Sequence, residues 1–455
     1  MHSPKPCVLQ INTLGKTGGA AQVAWNLHHI YLKRGIQAYM AVGQKETDDS
    51  NVFEIPNEQI QGLWTRNLLH IKRSLSPVNR EIKGAPLLLR KALSVIAEPL
   101  RYWDFFRGLE DLRYPGSWKV LELPPEKPNI VNCHNLHGGY FDLRSLPWLS
   151  HQVPVVLTLH DAWLLSGHCA HSFECERWKT ACGHCPDLTI YPAIWRDATA
   201  YNWQRKRDIY SISRLYVTTP SQWLMNEVEQ SMLAPAILER RVIHNGVDLS
   251  VFRPGDKAAA RRTLGLPQDS PILLFVGQRT KRNQFKDYAT MENALRKVAT
   301  KSNGQELLFL CLGGASKDES IGKARVRFVD YQHDLAKVAM FYQAADIYLH
   351  AARADTYPNT VLEALACGNP VIATAVGGIP EQIEDGVTGF LTPPEDPEAM
   401  AARIEQLLVD AELRQIMGSK AAEVARERFS LDIQADAYLE WFQEIVSKWQ
   451  PAKQE

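Results

Sequence analysis

CVLQINTLGKTGGAAQVAWNLHHIYLKRGIQAYMAV, Cys7 to Val42, decides the fold class. Cys7 to Thr13 is a short apolar run suited to a buried strand, and it enters a glycine-containing turn at Gly15 to Gly19. A helix pattern follows from Ala20 to Lys33, and Gln37 to Val42 reads as a second strand. Strand, turn, helix and strand in that order form the repeating unit of a parallel, doubly wound α/β sheet. Asn129–Cys133, Val153–Leu159 and Leu215–Thr219 are further short apolar runs ending near polar residues. Ligands of such sheets sit just beyond the carboxyl ends of the strands. That rule singles out Gly18 and Gly19, Asn135 to His137, His160 with Asp161, and Thr219 to Ser221.

Asp248 to Pro271 is rich in proline, glycine and charge, and reads as a linker. A second alternation follows it: strands at Ile272–Val276, Leu307–Leu312, Val326–Val329, Ile347–His350 and Val371–Thr374. Helices are expected at Asp287–Ala299, Asp334–Ala344, Thr360–Cys367 and Pro397–Leu408. At 455 residues the chain exceeds one ordinary core, so two tandem doubly wound domains with a cleft between them are expected. Their expected bounds are 1–247 and 248–428, with 429–455 forming a long amphipathic helix that packs back on the first domain.

The charge balance excludes one class of function. Fifty-one basic side chains face 51 acidic ones, without the basic excess that nucleic-acid binding demands. No apolar run approaches the roughly 20 residues of a membrane span, and no signal-peptide pattern opens the chain. A cytoplasmic protein is expected. Between Arg66 and Arg113, however, ten Lys/Arg stand against five Asp/Glu among leucines and aromatics. That region is either an ordinary solvated helix pair over the core or a peripheral contact with the inner face of a membrane.

The second half carries ADTYPNTVLEALACGNPVIATAVGGIPE, Ala354 to Glu381. A strand ends near His350, a loop follows, and a helix opens at Thr360. The first amides of a helix lack intrahelical acceptors and its dipole favours negative charge, so a diphosphate is a natural occupant. Asp355 and Glu363 could both face one ligand. Taken locally, Thr360-x-x-Glu363 also fits a capping box, Asp355 an ordinary loop carboxylate, and Gly377–Gly378 a turn.

The D-x7-E spacing followed by ALACGNPVIAT and GGIPE resembles the E-x7-E donor motif of retaining GT-B glycosyltransferases, specifically glycosyltransferase family 4. HNGVD at His244 to Asp248, with Phe252, resembles the hinge signature of that family. FVGQR followed by Lys286 resembles its diphosphate-binding Arg/Lys pair, and GVTGFLTPPED at Gly386 to Asp396 the segment after its last donor loop. The resemblance is strong from about Arg241 onward and weaker over the first half. It implies a GT-B fold of two Rossmann-like domains, the first for the acceptor and the second for the donor.

It also implies roles. Glu363 would bind the ribose, Arg279 and Lys286 would neutralise the diphosphate leaving group, and backbone around Tyr357, Pro358, Asn359 and Thr360 would contact sugar or phosphate. Gly18 and Gly19 would let the backbone approach the donor, and His160 would reach the donor sugar. Asp355 stands where the family pattern has Glu, one methylene longer. The implied reaction moves a hexose from a UDP- or GDP-sugar, with retention and no required cofactor, to a saccharide or lipid-linked saccharide in polysaccharide or glycoconjugate assembly. A sugar-nucleotide epimerase or hydrolase, and a non-catalytic nucleotide-sugar binder, are the alternatives.

Four cysteines crowd one stretch, Cys169, Cys175, Cys182 and Cys185, with histidines between them. Their spacing allows a structural zinc site, disulfide pairing or separate thiols. Cys7, Cys133, Cys311 and Cys367 read as core thiols.

Overall fold

The computed structural model describes residues 5–75, 85–278, 281, 283–301, 306–314 and 316–451. They form two compact units. Unit 1 comprises the chain up to Thr219, Met225–Val242 and the chain from Tyr438 onward; unit 2 comprises Pro220–Leu224 and Ile243–Ala437.

The strands of unit 1 are β1 (Val8–Leu14), β2 (Ala38–Gln44), β3 (Val52–Glu54), β4 (Ile130–Cys133), β5 (Val155–Thr158), β6 (Leu215–Thr219) and β7 (Ile237–Val242). They lie in the order β3-β2-β1-β4-β5-β6-β7, all parallel. Its helices are α1 (Gly19–Lys33), α2 (Leu63–Ser74), α3 (Ala85–Ala97), α4 (Pro99–Phe106), α5 (Leu146–Gln152) and α6 (Thr199–Ser211). Helix α7 (Gln222–Glu229) begins in unit 2 and ends in unit 1.

Unit 2 holds α8 (Lys257–Leu264), α9 (Tyr288–Lys301), α10 (Leu335–Ala344), α11 (Asn359–Ala366), α12 (Pro397–Val409) and α13 (Ala411–Arg428). Its strands are β8 (Ile272–Val276), β9 (Leu307–Leu312), β10 (Glu319–Ile321), β11 (Ala324–Val329), β12 (Ile347–His350), β13 (Val371–Thr374) and β14 (Gly389–Thr392). Their order is β10-β11-β9-β8-β12-β13-β14, parallel except for β10, which closes one edge as an antiparallel hairpin with β11. Helix α14 (Leu431–Lys448) starts in unit 2 and continues into unit 1, where Tyr438, Trp441, Phe442 and Ile445 are buried.

Two fully apolar strands show why the unit 2 sheet is doubly covered. On β9, Leu308, Leu310 and Leu312 enter one core cluster, whereas Leu307, Phe309 and Cys311 enter the other. Side chains alternate faces along a strand, so a run without polar residues needs a helix layer on each side. The doubly wound reading of the sequence therefore holds in both halves.

Asp248 to Pro271 is not a bare linker. It carries α8 and lies wholly in unit 2. The residues that suggested a linker are the helix ends: Asp256 accepts the Ala259 amide at 3.0 Å, and Gly265 takes a left-handed φ of 64°. Helix α13 has no counterpart in the sequence reading because its buried face is built of small residues, Gly418, Ala421, Ala422 and Ala425. That face lets α13 come against the end of α11. A Cβ placed on Gly418 would lie 2.4 Å from the Gly368 carbonyl oxygen.

Gly418→Ala should therefore destabilise unit 2 even though alanine is the better helix former. The backbone overlap is expected to cost about 1–3 kcal/mol, against a propensity gain of at most about 1 kcal/mol. A thermal melt that rises, rather than falling by a few degrees, would contradict this packing.

Candidate functional site

Strand β12 ends at His350, and the chain runs through a loop into α11. The segment ahead of α9 pairs with that loop: Asp287 donates to the Ala351 carbonyl at 3.1 Å, and Arg353 to that of Phe285 at 3.0 Å. This pairing brings Lys286 over the loop. Its Nζ lies 2.6 Å from Asp355 Oδ2 and 3.1 Å from His350 Nε2. An ammonium can only donate, so His350 accepts on Nε2 and its Nδ1 proton points to Tyr348 Oη, 3.1 Å away. Burial and the neighbouring Lys286 push His350 down to about 4, so the ring is neutral at physiological pH. Burial alone would raise Asp355; the Lys286 ammonium and the His350 ring together outweigh it and hold the carboxyl well below the usual carboxylate range.

Glu363 is in the opposite condition. Helix α11 begins at Asn359 with Pro358 as its cap residue and no side-chain cap bond. Thr360 is thus already inside the helix, and its hydroxyl bonds Tyr348. Glu363 instead accepts from Tyr342 Oη at 2.8 Å, so the capping-box reading does not hold. Burial pushes its carboxyl up to about 7, with only the Tyr342 bond opposing. The side chain keeps a partly exposed edge, so a ligand can still reach it.

Other sequence motifs brace this loop. A Cβ on Gly377 would lie 1.9 Å from the Asp355 carbonyl oxygen, and one on Gly378 2.0 Å from that of Thr356. Gly377 also has φ 56°, so the glycine pair is what allows the two loops to touch. His244 stacks on Tyr357 with ring centroids 5.3 Å apart, and Asn245 donates to Asn359 Oδ1 at 3.0 Å. Glu381 accepts the amides of Gln222 and Trp223, both at 2.8 Å, at the start of α7. The Tyr357 side chain is buried, so only the backbone there faces the site. Arg279 lies outside the described residues. Tyr342, Tyr348 and His350 were not singled out from sequence, although His350 occupies the strand-end position that the ligand rule marks.

In unit 1 the strand ends gather histidines. Gln10 donates its amide to the Ala24 carbonyl at 3.0 Å, which turns its oxygen toward His134 Nε2 at 2.9 Å. The Asn132 amide nitrogen lies 3.1 Å from the same Nε2, and His134 Nδ1 lies 2.9 Å from His160 Nε2, so the two rings are linked in one buried polar chain. Burial holds His160 near 4 and His134 well below its ordinary value, so both rings are neutral.

His137 and Asp161 form a second pair, Nε2 to Oδ2 2.7 Å. Burial would raise Asp161, but His137, the Trp163 amide at 2.9 Å and His160 together outweigh it and the carboxyl stays below its ordinary value. His137 Nδ1 is buried and has no hydrogen-bond partner among the described residues. The ring borders a cavity of about 530 Å³ together with Tyr102, Phe105, Trp163 and Tyr191. Gly18, at φ 106°, and Gly19 open α1, and no atom lies within 4 Å of where their side chains would begin. The amides of Lys16 and Thr17 in the same turn already donate to Glu46 Oε2, at 3.0 and 2.9 Å.

All eight cysteines are free thiols. Cys169, Cys175, Cys182 and Cys185 border one small cavity with His168. Burial pushes Cys169 up to about 11 and Cys182 up to about 12. Among the described residues no three His, Cys, Asp or Glu side chains converge into a metal-holding group. Cys7, Cys133, Cys311 and Cys367 are buried, as read from sequence.

Comparison with known proteins agrees with this geometry. A model described as Glycosyltransferase Family 4 matches residues 17–251, and one described as Glycosyl transferases group 1 matches residues 270–410. A D-inositol 3-phosphate glycosyltransferase of Mycobacterium avium (strain 104) is 34% identical over 390 residues, covering 82% of each chain. Its namesake in Mycobacterium tuberculosis (strain ATCC 25177 / H37Ra) is 33% identical over 391 residues, 82% of this chain and 74% of that one. Among solved structures, Anabaena HepE in complex with UDP-glucose superposes with a TM-score of 0.60 at 17% identity, covering 97% of this chain and 99% of that one. Sucrose-phosphate synthase of Thermosynechococcus elongatus gives 0.60 at 18% identity, covering 97% and 100%. At those identities the structures bear on the fold alone.

Glu363→Gln separates a ligand-facing carboxyl from a helix cap. The folded carboxyl has a raised pKa, so its charged form costs stability progressively as pH rises from about 4.5 to about 7. Glutamine cannot ionise. The variant without ligand should gain stability over the native chain across that window, reaching on the order of 2 kcal/mol above it. Thermal melts at pH 5 and pH 8 check this; a loss of similar size at both values would restore the cap.

Proposed function

The chain belongs to glycosyltransferase family 4, and from that premise we propose that it moves a hexose from a nucleoside diphosphate sugar to a saccharide hydroxyl with retention of configuration. The arrangement that carries this reading is the Lys286 ammonium held by Asp355 beside the first turn of α11. When the bond between the anomeric carbon and the diphosphate breaks, negative charge builds on the departing phosphate. Lys286 and the helix amides are fixed donors for that charge and need no rearrangement at the moment of reaction. Arg279 carries a second positive charge in this reading. Glu363 accepts the ribose hydroxyls, and the backbone from Tyr357 to Thr360, braced by His244, Asn245 and the Gly377–Gly378 pair, holds the sugar and phosphates. Asp355, shorter than the Glu of the family pattern, positions Lys286.

The acceptor hydroxyl attacks the face from which the diphosphate leaves, and its proton passes to a phosphate oxygen of the leaving group. No second carboxylate is needed. The open turn at Gly18 and Gly19 allows close approach of the donor, and His160, neutral and held against His134, meets a sugar hydroxyl. The donor in this reading is a UDP- or GDP-sugar.

The unit 1 cavity is the acceptor site in this reading. The orphaned His137 Nδ1 offers one hydrogen bond to a hydroxyl, and Tyr102, Trp163 and Tyr191 offer apolar faces to a sugar ring. Arg101, the guanidinium in its wall, is already engaged by Glu98 and Asp111. Lys72 and Arg101 stand against Glu98, Glu110 and Asp111 in the lining, and in this reading that net acidic wall suits a neutral saccharide end rather than the phosphorylated inositol of the relatives' names.

A panel of UDP- and GDP-sugars, with and without neutral saccharide acceptors, tests the reading through nucleotide release. Release that depends on a neutral acceptor is expected. Acceptor-independent release would favour a hydrolase or epimerase, and binding without release a sensor; a preference for inositol 3-phosphate would overturn the acceptor assignment. Lys286→Ala should lower kcat by about 100-fold or more, the scale for losing one fixed donor to a developing charge. Asp161→Asn should raise the acceptor KM while leaving donor affinity unchanged. Equal loss of donor affinity in both variants would contradict the division of roles.

A further inference from the structure

Helices α2, α3 and α4 differ from every other helical layer of unit 1. They pack on one another and on the chain around them: Thr65 Oγ1 donates to the Ala97 carbonyl at 3.0 Å, and Gln61 to Glu98 at 3.2 Å. Leu69 and Ala97 are buried by that packing, yet α4 buries no residue at all. Leu63, Trp64, Leu88, Leu100, Trp103 and Phe106 are each more than half exposed. The spacing of Leu100, Trp103 and Arg107 sets them on one side of α4, as that of Leu88, Lys91 and Val95 does on α3. Scattered surface leucines need no explanation, but large apolar side chains concentrated on three adjoining helices do.

Charge identifies what covers them. Residues 63–75 and 85–107 carry seven Lys/Arg and only two Asp/Glu. Both acids are already engaged, Glu98 by Arg101 and Asp104 by Arg113. An exposed apolar surface with two tryptophans, on helices with a net basic excess, matches the boundary of an anionic bilayer. A second copy of the chain would bring like charges together and is disfavoured by the same excess. We propose that α2, α3 and α4 form a docking face for an anionic lipid bilayer.

The same helices wall the unit 1 cavity. Lys72 of α2 and Arg101, Tyr102 and Phe105 of α4 line it, whereas Leu100, Trp103 and Arg107 face away. Helix α4 thus divides lengthwise, one side to the cavity and the other to solvent. Docking would set the cavity at the bilayer surface, within reach of a saccharide anchored in the lipid. This last step rests on the acceptor reading above; the docking face does not.

Flotation of the full chain with vesicles tests the face without any activity assay. Association is expected with vesicles of equal parts phosphatidylglycerol and phosphatidylcholine, and not with phosphatidylcholine alone. It should weaken as salt is raised, because the basic excess is screened. Trp64→Glu with Trp103→Glu should weaken association by about 10-fold or more, since apolar burial drives interfacial binding. Arg66→Glu with Lys91→Glu, which leaves the apolar side chains in place, should do the same. Donor-induced thermal stabilisation should survive in both double variants, showing that they fold and separating this proposal from the donor reading. No association of the native chain with either vesicle, or undiminished association of both variants, would overturn it. So would self-association of the native chain abolished by these substitutions, which would assign the face to a second copy.

Discussion

Two carboxyl groups, one just ahead of α11 and one within it, are held in opposite electrostatic states, and the donor region is organised around that contrast. Asp355 is ionised and spoken for, because Lys286 sits against it at 2.6 Å. Among the described residues no cation pairs with Glu363; burial pushes it up to about 7 and a tyrosine hydroxyl is its bonded partner. A buried group left this way costs stability, and a fold keeps it where a ligand supplies what is missing. The rest of unit 2 serves the placement: β12 delivers His350, the strand-like contact of 285–287 with 351–354 delivers Lys286, and the Gly377–Gly378 backbone closes on the loop.

Much of this was legible in the sequence because two simple periodicities carry it. Strands buried on both faces, such as β8 and β9, read as uninterrupted apolar runs, and the helices between them followed. The D-x7-E spacing located the loop ahead of α11. Illegible parts had specific causes. The cap residues Asp256 and Gly265 look like linker composition until the short helix between them is seen. Helix α13 turns alanines and a glycine inward, so it lacks the large apolar stripe that marks a helix. Thr360-x-x-Glu363 has the letters of a capping box, but the helix starts one residue earlier and moves Thr360 past the cap position.

The polar layer beneath the sites was equally hidden. Gln10, Asn132, His134 and Thr158 are buried on parallel strands or just past them and bonded to one another, but nothing in a strand's apolar rhythm announces such a chain. Its consequence is positional: the chain from the Ala24 carbonyl through Gln10 and His134 holds the His160 ring in place. Tyr342 and Tyr348 play the corresponding part below Glu363 and His350. In both units, then, the side chains that face outward were readable from position and type, whereas those that orient them emerge only from the packing. The basic, apolar stretch from Arg66 to Arg113 is a middle case, since composition flagged it and the solvent exposure of Trp103, Leu88 and Leu100 is seen only in the packing.

The central claim, that Glu363 is an uncompensated carboxyl awaiting the hydroxyls of a nucleoside, is tested most directly by proton counting in the binding calorimeter. A nucleoside diphosphate sugar has no phosphate that titrates near neutrality, and hydroxyl donors favour the ionised carboxylate. Titrating the donor at pH 7 in buffers of different ionisation enthalpy should reveal release of about half a proton per site, a release absent in Glu363→Gln. No proton change on binding, or the same change in the variant, would contradict the account.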